Sequence, residues 1–356
     1  MSIPRGTIPN FFRAQLILIL VILSAEIHAQ DPNKNVGIPL DHFYADPVNG
    51  GLRNFLSKFH FSVSTGYGQT FYRQDLSEFA LLQQADEAPF IFRQDLNING
   101  GNISSGYNYW FNRATPEENR TFNAGTDFLV SGDTTDLGFE GGGMSIPINL
   151  GIHFEFDRYK IGLGYMFEYH RPSTMRPANF TDQISSYDPD FNSAFFQKYY
   201  LMLGAKVYRY YYWVLSVDSH IGAFNLSKKF DKSQVKKGVY FNIGATVERE
   251  MSEYLRFFVR PSLDLKSYTL EMPETDVSIR TGMNAFYVQV GLTYRLPRLK
   301  RCFIKTCKTQ VNHQHWDREY RSRIHPFYKK QNPHHGENYP TLLKYKGKNK
   351  KKMNAY

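Results

Sequence analysis

Apolar and polar residues alternate along a series of segments between Phe59 and Leu296. In the last segment, Asn284 to Leu296, every second residue from Phe286 onwards is apolar or aromatic, and the residues between them are small, polar or charged. A period of two predicts a β-strand with one apolar and one polar face. The same alternation starts seven times earlier in the chain, near Phe59, Ile146, Tyr159, Tyr199, Trp213, Val239 and Phe257. The pattern therefore predicts eight strands.

The connections between these segments alternate between long and short. The first, residues 73–143, is long and loses the period of two, whereas the second is the tight turn Asp157-Arg158. Short turns on one side, long loops on the other and an even strand count are typical of transmembrane β-barrels, whose strands need about 9–11 residues to cross a bilayer. The sequence thus predicts an all-β, eight-stranded antiparallel transmembrane barrel over residues 59–296, with both termini on the short-turn side.

The polar faces of the strands carry eleven ionisable side chains. Six are basic and five are acidic: Glu155, Lys160, Glu168, Lys206, Asp218, Glu248, Arg256, Arg260, Asp264, Lys266 and Arg295. Charges at this density exclude an apolar ligand cavity, as in a lipocalin-like barrel, because their desolvation would cost too much. We expect a structural network of paired charges inside the barrel, with a small pore or an enzyme as the alternative. A β-sandwich is the other fold that eight alternating strands allow.

Catalytic residues are not evident in the sequence. His60, His153, His170 and His220 all face inward by parity, but no HExxH spacing and no Ser/His/Asp arrangement accompanies them. We therefore predict a protein without enzymatic activity and without a cofactor.

The first 29 residues are typical of a cleaved signal peptide. Arg5 and Arg13 precede the apolar run from Leu16 to Leu23, which is too short to span a membrane, and Ala29 provides the small residue at a cleavage site. An uncleaved anchor is the alternative. Residues 30–58 are then expected to be a periplasmic N-terminal segment.

The net charge is concentrated in residues 297–356. This tail holds 16 Lys and Arg against three acidic residues, whereas the rest of the mature chain is weakly acidic. It mixes cations with aromatic rings, and the candidates for contact with a partner are Trp316, Arg318, Arg321, Arg323, Phe327, Tyr328, Lys329, Lys330 and Tyr339. In the periplasm, such a tail predicts an envelope protein or an anionic polymer as partner rather than nucleic acid. A disordered, solvated tail is the alternative.

Two cysteines, Cys302 and Cys307, lie close together in the tail and precede His313 and His315. A local disulfide is the simplest use of two neighbouring cysteines in an oxidising compartment. A Cys2His2 zinc site and a pair of free thiols are the alternatives.

Residues 59–296 resemble the small outer-membrane barrels of the OmpA/OmpX type. Their last strand is similar to the sorting signal of such barrels, with Gln289, Gly291, Tyr294 and Leu296 at the matching positions. The aromatic, Asn-rich loops and the Ala-Gln end of the leader are similar to those of outer-membrane proteins of the Bacteroidota. The resemblance implies a Gram-negative outer membrane, contact with its lipid, and periplasmic termini; it covers about two-thirds of the chain and implies no catalytic residue.

Overall fold

The computed structural model describes residues 46–47, 51–94, 101–156, 158–210, 212–273, 275–309, 312–316, 318–323 and 328. The predicted signal peptide, residues 1–29, lies outside this part of the chain. The described residues form one helix, α1 (Gly51–Leu56), and nineteen strands. In chain order the strands are β1 (Asp46–Pro47), β2 (Phe59–Asp75), β3 (Phe79–Gln83), β4 (Phe90–Arg93), β5 (Asn102–Asn108), β6 (Thr115–Thr121), β7 (Phe128–Ser131), β8 (Gly138–Phe156), β9 (Tyr159–Pro172), β10 (Arg176–Pro177), β11 (Ala194–Tyr210), β12 (Trp213–Asn225), β13 (Val235–Lys237), β14 (Tyr240–Glu250), β15 (Leu255–Leu265), β16 (Ser267–Glu271), β17 (Ser278–Arg295), β18 (His313–His315) and β19 (Arg318–Tyr320).

The long strands pair into a closed antiparallel barrel. Their order is β8-β9-β11-β12-β14-β15-β17, and β2 closes the ring by pairing with β17 on one side and β8 on the other. The prediction of an all-β fold built on a large antiparallel sheet is confirmed. A sandwich does not describe this ring, because its end strands are joined through β2.

Alternation along the barrel strands separates apolar from polar side chains. In β17, Phe286, Val288, Val290 and Leu292 point outward and are 40–44 % exposed, while Tyr287 and Gln289 between them are fully buried. The outer surface is therefore apolar, and the interior holds the polar side chains.

The two ends of the barrel differ. The connections β8–β9, β11–β12 and β14–β15 span at most four residues and meet at one end, the turn end, together with α1 and the start of the tail. The longer connections β2–β8, β9–β11, β12–β14 and β15–β17 meet at the other end, the loop end. Among the described residues, no helix is long and apolar enough to cross a membrane.

The first long connection is folded, and it is shorter than the predicted loop 73–143. Its strands β3 to β7 form a five-stranded sheet in the order β6-β5-β4-β3-β7. The barrel strands extend further than predicted because β2 and β8 keep pairing up to Asp75 and Gly138. The insertion therefore covers residues 76–137.

An aromatic core closes the loop end of the barrel. It joins the insertion to the other long connections through Trp110, Phe111, Phe139, Tyr187, Phe230 and Tyr268. The Trp110 ring lies 4.9 Å from that of Tyr187, and the Tyr268 hydroxyl donates a hydrogen bond to the Phe111 carbonyl over 2.5 Å. The insertion therefore packs against the loop end of the barrel and covers it.

The tail folds into a small module at the turn end, here called the tail module (residues 297–323). Strands β18 and β19 form a hairpin, and β1 adds to β19 in parallel. The Arg53 guanidinium of α1 donates hydrogen bonds to the carbonyls of Pro297 and Leu299, 3.3 and 3.2 Å away. The described part of the tail is therefore ordered against the N-terminal segment.

The aromatic core gives a first testable prediction. Replacing the buried Trp110 by Ala should lower the free energy of opening the insertion by about 3–5 kcal/mol, because a large cavity is left in a packed core. Amide hydrogen exchange of β3 and β4 measures this opening. Tyr109→Ala is the matched control, since the Tyr109 side chain is half exposed. Equal exchange rates in the two variants would contradict the role assigned to the core.

Candidate functional site

Ten of the eleven charged side chains that alternation assigned to the barrel interior lie there in three layers, together with Lys198. The turn-end layer contains Glu155, Lys160, Lys206, Glu248 and Arg256; the central layer contains Asp218 and Arg260; and the loop-end layer contains Glu168, Lys198, Asp264 and Lys266. Arg295 lies at the turn end outside these layers, and its backbone N–H donates to the Tyr254 carbonyl over 2.7 Å.

Glu155 is the hub of the turn-end layer. Its carboxylate accepts hydrogen bonds from Lys206 and Arg256, each over 2.7 Å. Lys160 lies 3.8 Å from the same carboxylate and also pairs with Glu248. Two of the four inward histidines, His60 and His153, stack on each other beside this hub. Basic side chains from several strands therefore contact the Glu155 carboxylate at the same time.

The central layer is a single ion pair with polar neighbours. The Arg260 guanidinium grips the Asp218 carboxylate through Nε and Nη2, both 2.6 Å away. The Thr246 hydroxyl donates to the other carboxylate oxygen over 2.6 Å, and the His220 ring lies 3.3 Å from the pair. Hydrogen bonds between charged groups are shorter and stronger than those between neutral groups.

The loop-end layer is fully buried, and it contains a lysine that the sequence analysis missed. Lys198 Nζ lies 2.5 Å from Glu168 and 2.6 Å from Asp264, and Lys266 lies 3.7 and 3.6 Å from the same two carboxylates. The Tyr287 hydroxyl donates to Glu168 over 2.7 Å. The signal for Lys198 was available in the sequence, because it has the same parity as the inward Lys206.

The layers leave little free space inside the barrel. A cavity of about 50 Å³ lies between the turn-end and central layers, lined by His153, Lys160, Asp218 and Arg260 among others. That volume holds roughly three water molecules. Above it, Glu168, Lys198 and Asp264 are at most 1 % exposed. Within the part of the chain that the structure describes, water has no continuous path through the loop-end layer.

The predicted partner-binding residues are divided between exposed and structural positions. Trp316 sits at the tip of the β18–β19 hairpin with positive φ, is 81 % exposed and stacks on Phe303. Arg318 and Tyr328 are also exposed. Phe303, half exposed beside Trp316, is a surface aromatic that the sequence analysis did not single out.

Two of the predicted contact residues serve the tail module itself. The Arg323 guanidinium donates a hydrogen bond to the Cys302 carbonyl over 2.5 Å. The backbone of Arg321 forms hydrogen bonds with the backbones of Lys300 and Cys302. The remaining candidates, Phe327, Lys329, Lys330 and Tyr339, lie outside the described residues.

The cysteines of the tail module are free thiols, so the disulfide predicted from the sequence is not formed in the structure. Each thiol instead faces a histidine: Cys302 Sγ lies 3.3 Å from His315 Nε2, and Cys307 Sγ lies 3.2 Å from His313 Nε2. Burial raises the pKa of the Cys302 thiol. The Thr309 hydroxyl, 3.5 Å from Cys307 Sγ, lowers the pKa of the Cys307 thiol.

The loop-end layer gives a second prediction. Lys198→Met leaves two buried carboxylates with Lys266 as their only ammonium partner in the layer, and should destabilise the barrel by about 3–5 kcal/mol. Urea unfolding of the barrel in lipid vesicles measures the loss. Lys206→Met is the matched control, because Lys206 is partly exposed at the turn end and Glu155 keeps two other cations. An equally large loss of stability for Lys206→Met and Lys198→Met would contradict the expectation that the fully buried ion pairs contribute more to stability than the partly exposed one.

Comparisons with known proteins give no family for the chain. No family model matches it, and neither does any curated protein. Solved structures that resemble it include the outer membrane protease OmpT from Escherichia coli, at 13 % identity over 70 % of this chain and 98 % of that chain, with a TM-score of 0.28.

Two further solved structures are less similar. They are the translocator domain of the autotransporter NalP from Neisseria meningitidis and the monoaromatic hydrocarbon channel TodX. Each is 8 % identical to this chain over 67 % of its length and has a TM-score of 0.19. The matched region covers 89 % of the NalP domain and 91 % of TodX. At these TM-scores the likeness adds nothing to the fold that the strand pairing defines.

Proposed function

We propose that this protein is an eight-stranded transmembrane β-barrel of the Gram-negative outer membrane. In this proposal it has no enzymatic activity, its outer face contacts lipid, and its basic tail docks a periplasmic envelope protein or an anionic envelope polymer. The observation that carries the proposal is the inverted arrangement of side chains. Charged groups are buried inside the barrel, whereas large apolar groups such as Leu163 and Leu263 are more than half exposed on its surface.

The exposed apolar surface is too extensive for a protein in water. It runs around the ring on every long strand, through Val63, Ile148, Leu163, Leu201, Ile221, Val247, Phe257 and Val290 among others. Patches larger than a few hundred Å² are rare on soluble monomers. A lipid bilayer satisfies this surface, and closure of the ring satisfies the backbone, because no strand edge is left facing hydrocarbon.

The interior argues against the alternative of a pore or a luminal enzyme. Each luminal carboxylate of the three layers is engaged by at least one cation, and the loop-end layer excludes water. A general acid or base needs access to substrate, and an ion needs a continuous path. These contacts support the proposal that the function lies at the two ends of the barrel.

The tail module has the properties of a docking element. Its described surface carries the exposed cations Arg298, Lys300, Arg301, Lys305, Lys308 and Arg318. Phe303 and Trp316 add an exposed aromatic pair, the type of side chain that most often anchors protein interfaces. Because the module directly follows the last barrel strand, it is held at the membrane surface, and tethering raises its effective concentration for partners there.

The membrane assignment gives a third prediction. Val290→Arg places a charge at the middle of the apolar belt and should cost about 2–4 kcal/mol. The amount of folded protein in the outer-membrane fraction, measured by the heat-dependent shift in gel mobility, should fall accordingly. Val290→Ile, at the same position, should leave that amount unchanged. Recovery of wild-type protein as a soluble periplasmic species would end the membrane proposal.

The docking assignment gives a fourth prediction. Deleting residues 302–356 should leave the barrel assembled, by the same gel shift, but release an envelope component that co-purifies with the full-length protein from detergent extracts. Exchanging the six lysines between 344 and 352 for Gln should weaken the association mainly at low salt, because salt screens charge. Trp316→Ala should weaken it at high salt as well.

Two controls keep this experiment decisive. Lys228→Gln and Lys232→Gln remove exposed charge from a loop at the opposite end of the barrel and should leave the association intact. If the protein without its tail keeps every partner of the full-length protein, docking through the tail is wrong.

A further inference from the structure

Four potential metal ligands converge in the tail module. One ligand atom from each of Cys302, Cys307, His313 and His315 lies within 4.8 Å of the other three. Two thiols and two imidazoles are the donor set of a Cys2His2 zinc site. This cluster is separate from the luminal charges and from the exposed aromatic pair.

The local fold explains why the four side chains meet. His313 and His315 are separated by one residue on β18, so both side chains leave the same face of the strand. The hairpin returns through β19 to Arg321, whose carbonyl accepts the backbone N–H of Cys302 over 3.0 Å. Cys307 follows on a turn in which its own N–H donates to the Ile304 carbonyl. Three short segments of chain thereby bring their donors to one point.

The distances match tetrahedral coordination. In a zinc site with Zn–S bonds of about 2.3 Å and Zn–N bonds of about 2.0–2.1 Å, neighbouring sulfur and nitrogen ligands lie about 3.5 Å apart. The two cysteine–histidine pairs lie 3.3 and 3.2 Å apart. Both contacts use Nε2, so each imidazole presents the same ring nitrogen to its thiol.

A second cluster with metal-ligand chemistry does not fit a cation. His60, His153 and Glu155 also have ligand atoms within 4.8 Å of one another. There, however, Lys206 and Arg256 already occupy the Glu155 carboxylate at 2.7 Å, and a metal ion would have to displace them. In the tail cluster the Arg323 guanidinium contacts the Cys302 carbonyl rather than its thiol, and two thiolates would balance the charge of a divalent ion.

We propose that Cys302, Cys307, His313 and His315 form a structural zinc site. Four protein ligands fill a tetrahedral shell, which leaves no open position for a substrate and so indicates a structural rather than a catalytic ion. A bound metal ion would stabilise the tail module, because chains shorter than about 40 residues seldom bury enough apolar surface to fold unaided. The ion would connect the β18–β19 hairpin to the segment that follows the last barrel strand. It would thereby fix the orientation of the exposed Trp316 and Phe303 side chains.

The test is the metal content of the full-length barrel. Protein purified in detergent and dialysed against metal-free buffer should retain about one zinc ion per chain by inductively coupled plasma mass spectrometry. After exchange into Co²⁺, the visible spectrum should show the intense bands of tetrahedral thiolate coordination. His315→Ala and Cys307→Ser should each lose most of the bound zinc and these bands, while the gel shift reports that the barrel itself remains folded.

Gln314→Ala is the matched control. Gln314 lies between the two histidines on β18, but its side chain leaves the opposite face of the strand and is exposed. It should retain the full zinc content. Wild-type protein that contains no zinc after purification and does not take up added Zn²⁺, or whose mass shows a Cys302–Cys307 disulfide, would overturn the proposal.

The zinc proposal and the docking proposal fail separately. Metal content is measured on purified protein without any partner, whereas docking is measured by co-purification. A barrel with bound zinc and no partner would contradict docking alone, and a barrel that keeps its partner without zinc would contradict the zinc site alone.

Discussion

Burial of charge inside a closed ring of strands is the constraint on which the rest of this structure depends. A small barrel with an apolar exterior must place its polar side chains inward, and a narrow interior has no room to hydrate them. The loop-end layer shows how the requirement is met. Two ammonium groups and two carboxylates share one dry space, and Lys198 touches both Glu168 and Asp264. Because buried charges are stable only with their partners, the strands on which these residues lie are locked in register.

Because the interior is filled, additional structure is built at the two ends of the barrel. At the loop end, the insertion of residues 76–137 builds its own sheet and seals the mouth with aromatic side chains such as Trp110 and Phe111. At the turn end, the tail module pairs with the N-terminal segment through β1 and Arg53. The barrel therefore serves as a rigid support between two differently built surfaces.

The proposals of docking and of zinc binding concern the same small module at different levels. Its exposed cations and the Phe303–Trp316 pair form a surface, whereas Cys302, Cys307, His313 and His315 are buried or half-buried beside it. His315 links the two, because its ring also contacts Phe303 at 5.9 Å between ring centroids. A contact surface made from so few residues needs rigid support, since each side chain that must be ordered on binding reduces affinity.

Alternation along the sequence was sufficient to determine the all-β fold and the side of each barrel strand on which a residue lies. A period of two is a local property, and an apolar exterior around a charged interior keeps it along the barrel strands. The same reasoning missed Lys198 because strand β11 was taken to start at Tyr199, whereas pairing with β9 extends it back to Ala194.

Only the tertiary structure decided the rest. Strand β3 is buried on both faces and reads as a continuous apolar run, so the sheet in the insertion left no period to detect. Which luminal charges pair depends on register and barrel closure, and these bring together residues as distant as Glu155 and Arg256. The spacing of the cysteines was compatible with a disulfide, zinc or free thiols. Their actual neighbours depend on the β18–β19 hairpin, because its strand β18 places His313 and His315 against the two cysteines.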